Sequence, residues 1–286
     1  MTKKKSAPPP SLPQMPSFTT IDVADRNGVG LVTLNRPQVH NAFDETMIRE
    51  LAQAFDVLDA LPRVRAVILL GEGPSFCAGA DLDWMRRMAA FDYEQNLADA
   101  RALAAMLQRL ALMNKPTIAR VHGPAYGGGV GLVACCDIAV ADSQQAVFAL
   151  SEVKLGLIPA TIGPYVIEAM GARAARRYMM SGERFTAADA YRHGLVHELT
   201  PSTAELDDRV NELLGALLLA GPHAQAAAKA LVRAVAHRPI DERVIADTAE
   251  RIASIRATDE AREGVAAFLT KRSPAWVPEA LKRSKG

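Results

Sequence analysis

The stretch AYGGGVGLVACCD, residues 125–137, places three consecutive glycines, Gly127 to Gly129, and then Gly131 inside an apolar run. Glycine is needed where the backbone takes a positive φ or must approach another group closely. The residues that follow, VGLVACC, read as helix, so the triplet would present free backbone N–H groups at a helix N-terminus. The dipole there favours negative charge. Such a terminus can hold a phosphate, or it can donate to a carbonyl oxygen that gains charge during a reaction. The phosphate reading lacks its signatures: there is neither GxxxxGK[ST] nor GxGxxG with an acid roughly twenty residues on. Close packing of helix on sheet would use the same glycines.

A second turn of this kind, FCAGAD (76–81), also follows a strand-like run and a loop. Two such turns in one domain could supply two N–H donors to one oxygen. Glu152 lies just after the apolar run AVFAL and before a Gly/Pro turn. A carboxylate at a strand end is a general-base candidate, and a solvated loop acid is the blander alternative. Cys77, Cys135 and Cys136 have no zinc-like spacing, and none reads as a nucleophile.

The elements that must position these residues alternate. VGLVTL (29–34), RAVILL, TIARVHG, DIAVA and AVFAL read as strands, RAVILL as one buried on both faces. Met47, Ile48, Leu51, Phe55 and Leu58 carry helical spacing, and a long helix is expected over about 92–113, ended by NKP. Beyond about residue 163 the chain reads as almost wholly helical. Strands with helical crossovers imply an α/β core with largely parallel pairing. Three segments are expected: a disordered tail over 1–16, an α/β core over 17–205 and a helical C-terminal domain over 206–286.

The chain has 286 residues, 49% hydrophobic and 23% charged, with a net charge of +1. That balance gives no electrostatic case for nucleic acid, and no apolar run is long enough to span a membrane. The N-terminus lacks the apolar core of a signal peptide, and a reducing cytoplasm suits the free cysteines.

The blocks LNRPQVHNAF, FCAGADLDWM, NKPTIARVHGPAYGGGVGL, CDIAVA, SEVKLGLIP, GERFTAADAYRHGLV and EGVAAFLTKR resemble, in order, those of the crotonase family, the enoyl-CoA hydratases and isomerases. The resemblance runs from about Phe18 to Lys271. It implies a spiral of ββα turns with a helical C-terminal region that builds a homotrimer, often paired into a hexamer. It implies an acyl-CoA substrate, with no metal and no cofactor beyond the coenzyme A of the substrate. The thioester oxygen would be held by the backbone N–H groups of Ala80 and Gly128. Glu152 would be the acid/base. Ala78, Ala80, Asp81 and Leu82 would contact the coenzyme, and Lys271 would approach its phosphates. His40 stands where the family often carries a basic residue.

One position departs from the pattern. Family hydratases carry a second glutamate three residues after the oxyanion glycine, and that position is Gly131 here. The two acids act together on one water, whereas family isomerases often keep only the one at the position of Glu152. The stretches GGGVGLVACCDIAVA, SEVKLGLIPATIGPYV, RAARRY and ERF are also similar to those of a bacterial subgroup that hydrates branched glutaconyl-CoA esters, including 3-methylglutaconyl-CoA in leucine breakdown. On that resemblance Gly131 would leave room for a 3-branched chain. The expected function is hydration of such a 2-enoyl-CoA. The alternatives are an isomerase using one glutamate, or a CoA-ester binding protein without turnover.

His122, Asp137, Asp81 and Asp83 read as structural. RAARRY (173–178) reads as a solvated helix face.

Overall fold

The computed structural model describes residues 16–282. The expected tail therefore lies outside the described residues, apart from its last position. The chain begins with β1 (Ile21–Arg26), β2 (Val29–Leu34), α1 (Glu45–Ala60), β3 (Ala66–Gly71), α2 (Leu82–Met88) and α3 (Tyr93–Leu112). There follow β4 (Thr117–Val121), β5 (Ala125–Tyr126), α4 (Gly128–Cys135), β6 (Ile138–Asp142) and β7 (Val147–Ala149). Then come α5 (Gly163–Ser181), β8 (Arg184–Thr186), α6 (Ala187–Arg192), β9 (Glu198–Thr200) and α7 (Thr203–Leu219). The last helices are α8 (Pro222–Val235), α9 (Glu242–Arg256) and α10 (Asp259–Leu269).

The large sheet runs β1-β2-β3-β4-β6-β9. Only the β1–β2 hairpin is antiparallel; the remaining pairs are parallel. Its central strands are buried on both faces. In β3, Val67 and Leu69 join the main core with α1, α3, α4 and α5. The alternate residues Ala66 and Ile68 face Leu206, Val210 and Leu214 of α7. That alternation is why RAVILL shows no polar positions.

A smaller sheet, β5-β7-β8, sits beside the first. Two single-residue parallel bridges, Cys77 with Ala125 and Phe43 with Ala80, extend the same row. Each turn of the chain therefore gives one long strand to the large sheet, one short extended segment to this row, and then a helix. Ala80 lies in that row, and Gly128 and Glu152 follow its segments β5 and β7.

The helices begin where side chains can cap them. Asp44 accepts from the Met47 N–H ahead of α1, and Asp92 forms a capping box with Gln95 at the start of α3. The apolar stripe of α1 predicted from spacing is buried throughout.

Two expectations are corrected. The chain after residue 163 is not almost wholly helical: β8 and β9 interrupt it, and β9 closes the large sheet against β6, with Val140 opposite Glu198. Each is three residues long, too short to show an alternation. The division at 205/206 falls inside α7, whose apolar face belongs to the sheet core. The helices that pack chiefly on one another are α8, α9 and α10. Arg65 ties that region back, donating to the carbonyls of Trp276 at 2.9 Å and Ala220 at 2.7 Å.

Candidate active site

The two glycine turns lie against each other. The Cys77 N–H donates to the Pro124 carbonyl at 3.1 Å, and the Tyr126 N–H to the Cys77 carbonyl at 2.8 Å. Gly79 has φ +90°, and a Cβ there would stand 2.9 Å from the Tyr126 carbonyl oxygen. Gly127 has φ 49° and ψ −116° as N-cap of α4. Gly128 could not carry a side chain, since its Cβ would lie 2.5 Å from Cε2 of Phe43. A Cβ on Gly129 would lie 2.3 Å from the Cys77 carbonyl oxygen. The triplet thus serves turn conformation and close approach together.

Phe43 also sets the orientation of Ala80. Its N–H donates to the Gly79 carbonyl at 2.6 Å, and its carbonyl accepts from the Asp81 N–H at 2.8 Å. A parallel bridge made this way uses the groups flanking Ala80, so the N–H of Ala80 itself faces away from Phe43. Gly128, first in α4, has no intrahelical acceptor for its N–H. Among the described residues neither N–H has a backbone acceptor. Two donors without a backbone acceptor, on two adjacent turns, suit one oxygen gaining charge.

Glu152 opens a short 3-10 turn, Glu152–Leu155, directly after β7. The Gly127 N–H donates to Ala149 at the end of that strand, which joins the two segments. The carboxyl lies over the glycine turn: a Cβ on Gly127 would be 3.1 Å from Glu152 Oε1. Oε2 is buried and, among the described residues, has no partner. Burial raises the pKa above its ordinary 4.5, opposed only by its own backbone N–H. A half-buried carboxyl with no cation beside it and one oxygen unpartnered is poised to exchange a proton.

Asp81 is committed elsewhere. Its carboxylate caps α2 through the N–H groups of Asp83 and Trp84 and pairs with Arg36 at 3.0 Å. Burial alone would raise its pKa, but these partners lower it overall. Ala78 donates to the His40 carbonyl, and Leu82 is exposed beside the turn. Lys271 is set apart: it lies past the end of α10, beside a concavity lined by Phe268, Leu269, Arg272 and Trp276. The loops bring Ala78, Ala80, Asp81, Leu82, Gly128 and Glu152 together; Lys271 belongs to the C-terminal helical region.

Three residues that sequence reasoning left without a role support this geometry. The Arg36 guanidinium reaches the Ala42 carbonyl at 2.6 Å and the Asp81 and Asp44 carboxylates at 3.0 and 3.2 Å. Asn41 is fully buried, and its amide donates to the carbonyls of Glu72, Ser75 and Phe76. Phe43 is the third. All three lie in the NRPQVHNAF block, but only tertiary contacts show what they hold.

The residues declined as catalytic have structural partners. Asp137 accepts from Thr117 and pairs with Lys229 at 2.7 Å. His122 Nε2 meets the Gly73 carbonyl at 2.9 Å, and burial lowers the pKa of the ring. Burial pushes the Cys77 and Cys136 thiols up to about 12, which removes the thiolate at neutral pH.

One expectation about Gly131 is corrected. The space that the glycine leaves is not open for a branched acyl chain. A Cβ built there would lie 2.3 Å from Ile162 Cγ2, so the isoleucine already fills it.

Comparison with known proteins places this arrangement. The family described as enoyl-CoA hydratase/isomerase matches residues 24–279. A 2,3-dehydroadipyl-CoA hydratase of Escherichia coli is 32% identical over 88% of this chain and 96% of its own. The solved structure of an enoyl-CoA hydratase from Shewanella pealeana superposes with a TM-score of 0.88 at 44% identity, covering 91% of this chain and 96% of that one. Pseudomonas aeruginosa AtuE superposes with a TM-score of 0.86 at 34% identity, over 91% of this chain and all of its own.

Proposed function

The chain belongs to the enoyl-CoA hydratase/isomerase family, and from that premise we propose that it adds water to a 2-enoyl-CoA with Glu152 as its acid/base. The observation that carries this reading is the buried, unpartnered Oε2 of Glu152, whose carboxyl lies over the Gly127 turn. The thioester oxygen accepts from the Ala80 and Gly128 N–H groups, which draws electron density from C3. Water attacks C3 and gives a proton to the Glu152 carboxylate. The C2=C3 electron pair moves onto the thioester oxygen as an enolate, held by the same two donors. The enolate collapses, and the Glu152 acid returns a proton to C2. One water is added, and the carboxylate is regenerated. An N–H donor in such a hole is worth on the order of 100- to 1000-fold in rate.

The favoured substrate is 3-methylglutaconyl-CoA or a similarly branched ester. Its support is the sequence resemblance of the GGGVGLVACCDIAVA and SEVKLGLIPATIG segments, not space at Gly131. The coenzyme lies along Ala78 to Leu82, with Lys271 toward its phosphates. The protein assembles as a homotrimer or a dimer of trimers and works in the cytoplasm. Among the described residues no helix is long and apolar enough to cross a membrane.

The glycine at 131 favours one second reading. A single carboxylate suffices to move a proton from C2 to C4 of a 3-enoyl-CoA, so isomerisation needs no other acid. The test offers 3-methylglutaconyl-CoA, crotonyl-CoA and a 3-enoyl-CoA separately and follows product mass. A gain of one water, faster on the branched ester, supports hydration and that substrate. Faster turnover of crotonyl-CoA contradicts the branched preference. Conversion of the 3-enoyl ester without mass change, with both 2-enoyl esters inert, replaces hydration by isomerisation.

A further inference from the structure

Gly131 is not only a position that lacks an acid; another residue occupies the volume an acid would need. Gly128 and Gly131 lie three apart on α4 and so share a face. A Cβ on Gly131 would lie 2.3 Å from Ile162 Cγ2, 2.9 Å from Ile162 Cβ and 3.7 Å from Leu107 Cδ2. The first two distances are far inside van der Waals contact. Ile162 is 2% exposed and belongs to the main core. Its backbone is held as N-cap of α5, where its carbonyl accepts from Val166 at 3.1 Å. Its branched side chain has little torsional freedom with which to yield. The segment that ends in Ile162 also carries Glu152, so one stretch of chain supplies the carboxylate and closes the neighbouring position.

We propose that Ile162 makes this a one-carboxylate site, because it fills the space that any side chain at 131 requires. This deepens the function proposed above and rests on it. The consequence is selection between reactions. Chemistry in which one carboxylate takes and returns a proton is retained. Chemistry that needs two acids on one water is excluded, and adding an acid at 131 alone does not restore it. Ile162 is thus a specificity residue acting through exclusion.

The test uses Gly131→Glu, Ile162→Gly and the pair, in the full chain. Glycine is tolerated at an N-cap, so the isoleucine can be removed without loss of the α5 start. Thermal unfolding and the pH profile of crotonyl-CoA hydration are measured for each. Gly131→Glu alone is expected to lower Tm by about 5 °C through overpacking, with no new ionisation in the profile. The pair is expected to melt well above the additive sum of the two single shifts. It should hydrate at least about 10-fold faster than Ile162→Gly alone, with a second carboxyl visible in the acid limb. Additive Tm shifts overturn the proposal. So does Gly131→Glu alone, if it keeps the parent Tm and gains a second ionisation. Inert parent and variants contradict the function reading, while the thermal cycle still judges the Ile162 contact by itself.

Discussion

At the scale of single residues, Glu152 has one property that can be read in solution. Burial raises its carboxyl above 4.5. The folded state therefore holds this proton more tightly than the unfolded chain, and ionisation costs stability. That cost is absent below the unfolded value, grows as pH rises, and is complete above the folded value. On the proposed mechanism activity has the opposite sign, because taking a proton requires the carboxylate. The acid limb of kcat/KM is therefore expected to have its midpoint above 4.5. A limb at or below 4.5 would mean that another group titrates. Gly131 shows how far residue types reach. Its departure from the family pattern is visible in sequence, but its neighbour Ile162 lies in a segment that sequence cannot bring to it.

At the scale of elements, the proposed oxyanion donors depend on a loop held from outside. Arg36 joins the Ala42 carbonyl to the Asp81 and Asp44 carboxylates, and Asp81 both caps α2 and follows Ala80. Arg36→Ala removes the cation between those two carboxylates and frees the Ala80 turn. The expected outcome is a fall of about 10- to 100-fold in kcat, with a smaller change in KM, since misplaced positioning groups cost this much. A Tm loss with unchanged kcat would make Arg36 a stabilising residue only. Long periodic elements were legible: the α1 stripe, the α3 boundaries and the doubly buried β3 follow from their residues. The short β8 and β9 were not, because pairing with distant strands defines them. The Gly127–Gly129 turn was legible as a close approach of backbone, whereas the roles of Asn41 and Phe43 were not. Those roles exist only once 41–43 and 72–80 are adjacent.

At the scale of the whole molecule, the C-terminal helices and the connection between α8 and α9 leave large apolar side chains in solvent. Phe268 is 82% exposed and Leu269 73%, with Ile240 and Val265 also open. Such surface on one protomer suits a partner. A second copy of the chain is the partner proposed here. Light scattering is expected to give three or six protomers per particle, and a monomer at micromolar concentration would contradict that assembly. The division of layers was only partly legible at this scale. The apolar face of α7 looks like that of any amphipathic helix, and the sheet beneath it decides that it belongs to the core.

The most direct test of the central claim compares the parent with Glu152→Gln in oxygen-labelled water, using 3-methylglutaconyl-CoA and following label in the product. The parent is expected to gain one labelled water. The variant, folded and still binding a CoA ester, should lose about 100- to 10,000-fold in rate. A folded Glu152→Gln protein that adds water at the parent rate would contradict the account.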